Sequence, residues 1–274
     1  MSGKLYVVGT PIGNLSDFSP RGIETLSTVD FIAAEDTRVT TKLLNRFEIK
    51  KPLVSYYEHN RRERGEIIIN RILSGENCAI VTDAGMPCIS DPGQDLVYLC
   101  HQNNISVESV PGPTAFATAL AISGMESGRF TFEGFLSVNK PSRKEHLEEV
   151  KNETRTMIFY EAPHKLKATL KDMLSAFGNR EIAIVKELTK VHENVMKTTL
   201  KDACDYFETE APRGEYVLII AGAEKVKEKQ LATLEQAVEM AKDLVLKGVS
   251  VNEASKTIAA ETGIKKSLIY KELL

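Results

Sequence analysis

Short apolar runs alternate with helical patterns along the first part of the chain. Each run ends in a polar or glycine-containing loop, and apolar residues at helical spacing follow that loop. The predicted strands lie at 5–8, 29–34, 52–56, 78–81 and 105–110. Because strands that alternate with helices at this rate form a mostly parallel sheet, the pattern predicts an α/β fold.

The stretch 78–93 stands at the centre of this pattern. Its first half is apolar and β-branched, which predicts a buried strand, whereas its second half is rich in glycine and proline. Pro87 and Pro92 each fix a backbone φ angle and remove a donor, so we expect a stiff loop. Asp83 stands at the strand tip, where parallel α/β sheets bind ligands. The stretch indicates either a loop that holds a small polar ligand or an ordinary strand-to-helix connection.

Four predicted strands end in loops of unusual composition. These loops lie at 9–14, 35–38, 82–93 and 111–115. The first, Gly-Thr-Pro-Ile-Gly-Asn, matches neither the dinucleotide fingerprint nor a phosphate-binding P-loop. Each loop alone fits a plain turn, but their repetition at one edge of one sheet favours a ligand site.

The pattern changes after residue 122. The segment 129–136 alternates polar and apolar residues like an antiparallel strand. Further strands are predicted at 156–160, 182–185, 195–199 and 216–220. Since these strands lie closer together along the chain, we expect a second α/β unit with a mixed sheet.

The end of the chain is predicted to be all helical, after a charged linker at 224–229. Helical patterns lie at 231–246, 251–260 and 265–273. A tight turn at 262–264 gives the last two helices helix-turn-helix spacing, with Lys265, Lys266 and Lys271 on or just before the last helix. A small helical cap is the alternative, because such spacing often arises by chance. We place the domain boundaries at 1–118, 119–224 and 225–274.

The composition and net charge of the chain limit the classes of function that it can have. Of the 274 residues, 42% are hydrophobic and 27% are charged, as in soluble globular proteins. The formal net charge of -3 gives no basic field over the whole chain, so a nucleic-acid surface must be local. The four cysteines lack close pair spacing and the five histidines are scattered, so a metal site has little support. With no leader pattern and no run long enough to span a bilayer, we expect a cytoplasmic protein with no membrane partner.

The loops together carry a family signature. Its segments are Leu-Tyr-Val-Val-Gly-Thr-Pro-Ile-Gly-Asn-Leu at 5–15, Ala-Glu-Asp-Thr-Arg at 34–38, Thr-Asp-Ala-Gly-Met-Pro-Cys-Ile-Ser-Asp-Pro-Gly at 82–93, Val-Pro-Gly-Pro-Thr-Ala at 110–115, Phe-Tyr-Glu-Ala-Pro-His-Lys at 159–165, Glu-Leu-Thr-Lys at 187–190 and Arg-Gly-Glu-Tyr-Val at 213–217. In this order they resemble the ribosomal small-subunit RNA 2′-O-methyltransferase I family of the tetrapyrrole-methylase superfamily. Thr82 and Ala162 stand where serine is common in that family, and both departures are mild.

The resemblance implies a two-domain α/β methyltransferase with a parallel-sheet N-terminal domain, a mixed-sheet second domain and a C-terminal RNA-binding helical domain. It implies S-adenosylmethionine as cofactor, bound in the cleft between domains, no metal, and a homodimer. The implied substrate is the 2′-hydroxyl of a cytidine in the decoding region of 16S rRNA, in the small ribosomal subunit.

The resemblance and the chemistry together select site residues. Cofactor contacts are expected from backbone groups at strand ends and from apolar side chains around the adenine. The predicted cofactor-binding residues are Pro11, Asp83, Gly85, Met86, Ile89, Thr114, Ala115, Phe135 and Tyr160. The predicted RNA-binding residues are Lys140, Arg143, Lys144, Lys265 and Lys266, with a solvated surface run as the alternative for the first three.

Methyl transfer from a sulfonium depends mainly on positioning, but a ribose hydroxyl needs a base or a nearby cation. The base candidates are Glu35, Asp36, Glu161 and Glu187, and the cation candidates are Arg38, Lys186 and Lys190. From these, Glu187, Lys190 and Arg38 are the predicted catalytic residues. Ion pairs that merely clasp the loops are the alternative for all three.

Two other functions compete with this hypothesis. One is methylation of a tetrapyrrole such as a sirohaem or corrin precursor, which the Gly-Thr-Pro-Ile-Gly-Asn loop and the helical C-terminal segment disfavour. The other is a helix-turn-helix regulator whose α/β body senses a ligand. Glu261 and Glu272 dilute the basic face that such a regulator needs.

Overall fold

The computed structural model describes residues 2–224 and 233–274. The chain divides into two compact units, Met1–Ala223 and Glu224–Leu274, and the predicted linker beyond Glu224 lies outside the described residues. Both predicted sheets belong to the first unit, and the boundary placed at 118 within it stays a prediction. Within the described ranges, no helix has the length and hydropathy that a membrane crossing requires.

The first sheet is entirely parallel, as the alternation of strands and helices predicts. Its strands are β1 (Lys4–Val8), β2 (Phe31–Ala34), β3 (Leu53–Ser55), β4 (Cys78–Val81) and β5 (Ser106–Val110), in the spatial order β3-β2-β4-β1-β5. The intervening helices are α1 (Pro20–Thr28), α2 (Thr37–Arg46), α3 (Arg61–Leu73) and α4 (Gln94–Gln102). The loops that follow β1 and β4 are neighbours because these two strands pair.

Both faces of this sheet are covered, which explains its continuous apolar runs. Leu5 and Ile80 face a cluster with residues of α3 and α4, whereas Val8 and Val81 face a cluster with residues of α1 and α2. All four residues of β2 and all four of β4 are buried. The burial fixes the sheet rigidly behind the loops at its carboxyl edge.

The second sheet is mixed, again as predicted. Its elements in chain order are α5 (Ala115–Ser123), β6 (Phe130–Phe135), α6 (Lys140–Val150), β7 (Thr156–Glu161), α7 (Leu166–Phe177), β8 (Glu181–Lys186), β9 (Asn194–Thr199), α8 (Leu200–Thr209) and β10 (Tyr216–Ile220). The spatial order is β6-β7-β10-β8-β9. The pair of β6 and β7 is parallel, and the other pairs are antiparallel.

One direction was wrongly predicted from the sequence. The alternation at 129–136 suggests an antiparallel strand, but β6 pairs in parallel with β7. Alternation reports that one face of a strand is more exposed than the other, and it carries no information on direction. The direction follows from the crossover through α6, which returns the chain to start the next strand at the same end.

The C-terminal unit is a three-helix unit, as predicted. Its helices are α9 (Leu234–Leu246), α10 (Val251–Thr262) and α11 (Lys266–Leu273). Alanines on α9 and α10 pack with Ile258 and Ile269 in a small core. Gly263 ends α10 with a φ of 75°, and this left-handed residue makes the tight turn into α11.

Candidate active site

The loops after β1 and β4 are tied together by their backbones. The N–H of Thr10 donates to the carbonyl of Gly85 at 2.9 Å, and the N–H of Gly85 donates to the carbonyl of Thr10 at 3.2 Å. The Thr10 hydroxyl donates to the carbonyl of Thr82 at 3.1 Å. Gly85 has a φ of +93°, which favours glycine at this position. The two loops therefore form one rigid edge.

The loop after β4 also contains strained residues. Cys88 and Ser90 have φ values of 71° and 65°, which is uncommon for residues other than glycine. The loop after β8 has two more, Glu187 at 53° and Thr189 at 64°. Such residues cluster at ligand sites, because the surrounding structure must hold them in place.

A cavity of about 470 Å³ lies between these loops and the second sheet. Eight of the nine predicted cofactor residues line it, namely Asp83, Gly85, Met86, Ile89, Thr114, Ala115, Phe135 and Tyr160. The second sheet contributes the ends of β7, β8 and β10. The size is typical of a pocket for one small organic ligand.

The cavity lining is acidic and apolar. Its acidic residues are Glu35, Asp83, Asp91, Glu161 and Glu215, and no lysine, arginine or histidine is among its described lining residues. The rest of the wall is mainly aliphatic and aromatic. Such a site suits a ligand that combines positive charge with an apolar or aromatic part.

The carboxyl groups at the first-sheet end influence one another. Burial and the nearby Glu35 carboxylate raise the pKa of Asp91 to about 6. The same two causes, burial first, raise the pKa of Asp83. Glu35 accepts a hydrogen bond of 2.5 Å from the Thr82 hydroxyl, and Asp83 accepts one of 3.2 Å from the backbone of Asp36. A bound cation would relieve the crowding of these negative charges.

An aromatic wall closes the second-sheet side. The Tyr160 ring lies 5.3 Å from that of Phe135 and 5.0 Å from that of Phe132, both nearly edge to face. The Tyr160 hydroxyl accepts a hydrogen bond of 3.0 Å from the N–H of Phe116, and burial raises the pKa of Tyr160 to about 12. The Phe135 side chain is 55% exposed, so its ring is available to a ligand.

The three predicted catalytic residues lie outside the cavity lining. Glu187 pairs with Lys190 at 3.0 Å, and Lys190 also pairs with Glu215 at 2.9 Å. A hydrogen bond from the Glu215 backbone, followed by that from Lys190, lowers the pKa of Glu187, which makes it a weaker proton acceptor. Arg38 pairs with Asp36 at 2.5 Å. These contacts resemble the loop clasps that were the alternative, and the catalytic roles stay predictions.

The predicted RNA-binding residues have unequal surroundings. The sequence pattern at 139–146 predicts a basic loop that leads into a polar helix, but α6 begins at Lys140, so Lys140 and Lys144 are exposed on a helix. Arg143 is only 13% exposed and bonds Asp172 at 2.7 Å. In the C-terminal unit, Lys265 and Lys266 are exposed at the start of α11.

Sequence reasoning missed several lining residues. Asp91 lies in the 82–93 loop but was not selected, and Glu215 lies in the Arg-Gly-Glu-Tyr-Val segment at 213–217. Both residues lie inside segments of the family signature, and membership in those segments was the signal that could have identified them. Among the described residues, no group of three or more His, Cys, Asp or Glu has a geometry that could hold a metal ion.

Pro11 lies beside the cavity, in a groove along α2 of about 260 Å³. We call it the α2 groove, and its lining residues are Thr10, Pro11, Gly13, Leu15, Val39, Lys42, Leu43, Arg46 and Asp83. Asp83 also lines the cavity, so the two spaces meet at this residue.

Comparison with known proteins defines the class. Residues 4–204 match the family described as Tetrapyrrole (Corrin/Porphyrin) Methylases. The fold is similar to that of cobalt precorrin-4 methyltransferase, with a TM-score of 0.59 and 19% identity over 80% of this chain and 94% of that one. It is also similar to diphthine synthase, with a TM-score of 0.61 and 11% identity over 80% and 90% of the two chains. The fold is that of a tetrapyrrole methylase.

Sequence relatives define the family more closely. The chain is 45% identical to the Ribosomal RNA small subunit methyltransferase I of Synechocystis sp., over 98% of this chain and 96% of the relative. The protein of the same name from Thermotoga maritima is 46% identical over 222 residues, which are 81% of this chain and 100% of the relative. The chain therefore belongs to the ribosomal RNA small subunit methyltransferase I family, which confirms the resemblance carried by the loop motifs.

Proposed function

We propose that the protein methylates the RNA of the small ribosomal subunit, with S-adenosylmethionine as methyl donor. The observation that carries the proposal is the cavity lining, which has five acidic residues, an apolar wall and no cationic residue among its described members. The donor has a sulfonium and an ammonium group beside an adenine, so its charge and its apolar part both match this lining. When bound, it supplies an electrophilic methyl group.

The chain's own residues divide the work of holding the donor. Asp83 and Asp91 would hold the positive groups, because their ionised forms are crowded without a cation. Met86, Ile89 and Phe135 would pack against the adenine. The first turn of α5 offers backbone N–H groups at Thr114 and Ala115 for the donor's own carboxylate. The fixed loops would position the methyl group for in-line attack.

The acceptor must be a weak nucleophile brought next to this cavity. We propose the 2′-hydroxyl of a cytidine in the decoding region of 16S rRNA, and a homodimer acting in the cytoplasm. Glu35 and Asp83 are acidic residues of the cavity lining on the first-sheet side, so they join Glu187 as candidates to accept the hydroxyl proton, while Lys190 and Arg38 are candidates to stabilise the negative oxygen that forms.

A labelled-cofactor assay tests the proposal. Purified protein, small ribosomal subunits and S-adenosylmethionine carrying a labelled methyl group should give labelled rRNA with the label on a ribose 2′-oxygen. A uroporphyrinoid substrate should remain unlabelled. Label on the porphyrinoid and none on the RNA would favour the competing tetrapyrrole methylase function, and label on neither would favour a sensor.

Variants of the central loop connect this activity to the cavity. Gly85→Val should weaken cofactor binding by at least tenfold, since a β-branched side chain disfavours the φ of +93° at this position. Asp83→Ala should weaken it by removing a carboxylate from the lining. Calorimetry measures the affinity and circular dichroism checks the fold. Normal affinity in both folded variants would exclude the 82–93 loop from the cofactor site.

A further inference from the structure

The α2 groove differs in charge from the cavity that it joins. Its charged residues are Lys42, Arg46 and Asp83, whereas the described charged residues of the cavity are all acidic. One site thus suits a cationic ligand, and the other suits an anionic one. Asp83 lines both, so groups bound in the two spaces would meet there.

Helix α2 carries two parallel rows of side chains along this groove. Arg38, Lys42 and Arg46 are spaced four residues apart, which places successive members on one face at a rise of about 6 Å. Val39 and Leu43 form an adjacent row with the same spacing. The helix therefore presents a basic ridge next to an apolar ridge.

Two of the three cations on the basic ridge, Lys42 and Arg46, are free to bind an external group. Lys42 and Arg46 are both exposed, and neither has an ion-pair or side-chain hydrogen-bond partner within residues 2–224 and 233–274. Arg38 is 87% exposed at its side chain and pairs with Asp36 on the surface. Cations at regular intervals with no internal partner are the charge complement of a phosphate backbone.

The wall opposite the helix is apolar and close to the cavity. Pro11 and Leu15 come from the loop after β1, and the Leu15 side chain is 45% exposed. Val39, on the helix side, is 37% exposed. Two exposed apolar side chains on facing walls can take the flat face of a base or a ribose.

We propose that the α2 groove binds the acceptor strand of the RNA, an inference that rests on the proposed methyltransferase function. Lys42 and Arg46 bind phosphates that flank the acceptor nucleotide, and Leu15 and Val39 contact its apolar face. The sugar then lies at the Asp83 end, where its hydroxyl meets the cofactor cavity. Asp83 positions the acceptor in addition to lining the cofactor site.

Binding of small ribosomal subunits across a salt series tests the phosphate contacts. The double variant Lys42→Ala/Arg46→Ala should make the slope of log affinity against log salt shallower by about 1.4 to 1.8, which corresponds to two phosphate contacts. Its KM for subunits should rise, while its affinity for S-adenosylmethionine stays that of wild type. Because both side chains are exposed, the variant should keep its fold.

The matched control is Lys50→Ala/Lys51→Ala. It removes the same charge just beyond α2, where Lys50 and Lys51 line a separate groove with Thr41, Leu44 and Asn45 instead of the α2 groove. This control should keep the wild-type salt slope. An equal change in both double variants would mean a general charge effect and would overturn the proposal, as would a wild-type slope in the Lys42/Arg46 variant.

A second variant tests the apolar ridge separately. Val39→Glu should raise the KM for subunits with little effect on cofactor affinity, and Val39→Leu should behave like wild type. An unchanged KM in Val39→Glu would overturn the role of this ridge. If the wild-type protein binds subunits but transfers no methyl group, the proposed function fails, and the salt series still decides whether the groove binds RNA.

Discussion

The Asp91 carboxylate lowers the stability of the ligand-free protein at neutral pH. Because burial and the Glu35 carboxylate raise its pKa to about 6, its ionised form is less stable in the folded chain than in water. The unfolded chain has an ordinary aspartate pKa near 4, so folding is penalised as the pH rises from about 4 through 6. Below that range the carboxyl group is protonated in both states and the penalty disappears.

We therefore expect Asp91→Asn to raise the Tm of the ligand-free protein at pH 7.5, with the gain fading as the pH falls toward about 4. Thermal unfolding of both proteins across this pH range measures the effect. Equal Tm values at pH 7.5 would contradict the pKa assignment.

The same substitution should weaken cofactor binding at neutral pH. Wild-type affinity should fall below about pH 6, since protonation of Asp91 removes the charge that a cationic ligand needs. Asp91→Asn should lack that portion of the pH dependence. Calorimetric titrations at pH 5.5, 6.5 and 7.5 compare the two, and a parallel decline in both proteins would assign the titration to another group.

Asp83 and Asp91 differ in how far their place in the fold could be predicted from their position in the sequence. Asp83 follows a predicted strand directly, so its place at the sheet edge could be predicted. Asp91 lies eight residues further along, after the left-handed residues Cys88 and Ser90. Left-handed backbone conformations are uncommon at residues other than glycine, and the residue type does not reveal them. The path by which the loop returns Asp91 to the cavity lining could therefore not be predicted.

At the scale of elements, helix α6 carries one cationic side chain that is bonded within the fold and two that are exposed. Arg143 Nε bonds the Asp172 carboxylate at 2.7 Å, and its Nη1 donates to the Ser137 carbonyl at 3.2 Å. Lys140 and Lys144 have no side-chain partner in the described part of the chain. The three residues lie in one basic run of the sequence. In the structure, Arg143 is held in an ion pair, whereas the two lysines are exposed.

We expect Arg143→Ala to lower the free energy of unfolding by roughly 1–3 kcal/mol, because it leaves a partly buried carboxylate without its cation. Lys140→Ala/Lys144→Ala should leave stability unchanged and make the salt dependence of subunit binding shallower. Urea unfolding and the salt series measure the two effects. Unaltered salt dependence in the lysine variant would leave these lysines as a solvated surface run.

Element starts were predicted better than element directions. Ser19 caps α1 and Pro20 opens it, as their residue types indicate. Helix α8 was not predicted, although Leu200, Ala203 and Phe207 are buried at helical spacing. Four of the ten residues of α8 are charged and the helix is short, so its apolar spacing is a weak signal.

At the scale of the whole chain, the C-terminal helices form one of two compact units. The relative from Thermotoga maritima is matched over all of its length by 81% of this chain, so a protein of the same name lacks a counterpart for the remainder. The first unit contains both sheets and the whole cavity lining. All described residues of the cavity lining therefore lie in the first unit, and we expect the C-terminal helices to be dispensable for cofactor binding.

A chain that ends after Ala223 should bind S-adenosylmethionine as wild type does, and it should lose methylation of ribosomal subunits mainly through a higher KM. Calorimetry and steady-state kinetics on purified subunits measure the two parameters. An unchanged KM would remove the helix-turn-helix helices, with Lys265 and Lys266, from RNA binding.

The cavity as a whole was beyond sequence reasoning for a topological reason. The loop residues of the first sheet could be grouped because parallel strands share an edge. Val185 and Val217 come from strands about a hundred residues later and Leu188 from the loop after β8, and nothing local predicts which edge of the second sheet faces the first. The only signal for Leu188 and Val217 was the family segments 187–190 and 213–217, and Val185 lies outside the segments of that signature.

Strand β10 is the last strand of its unit along the chain, yet it lies between β7 and β8. During synthesis, β7 and β8 therefore leave the ribosome with open edges, which only a later segment can close. All five residues of β10 are buried, and its first two residues line the cavity together with the preceding Glu215. We therefore expect a nascent chain to complete the cavity in one late step, when residues 216–220 insert, so that ligand binding would report that the second sheet has finished folding.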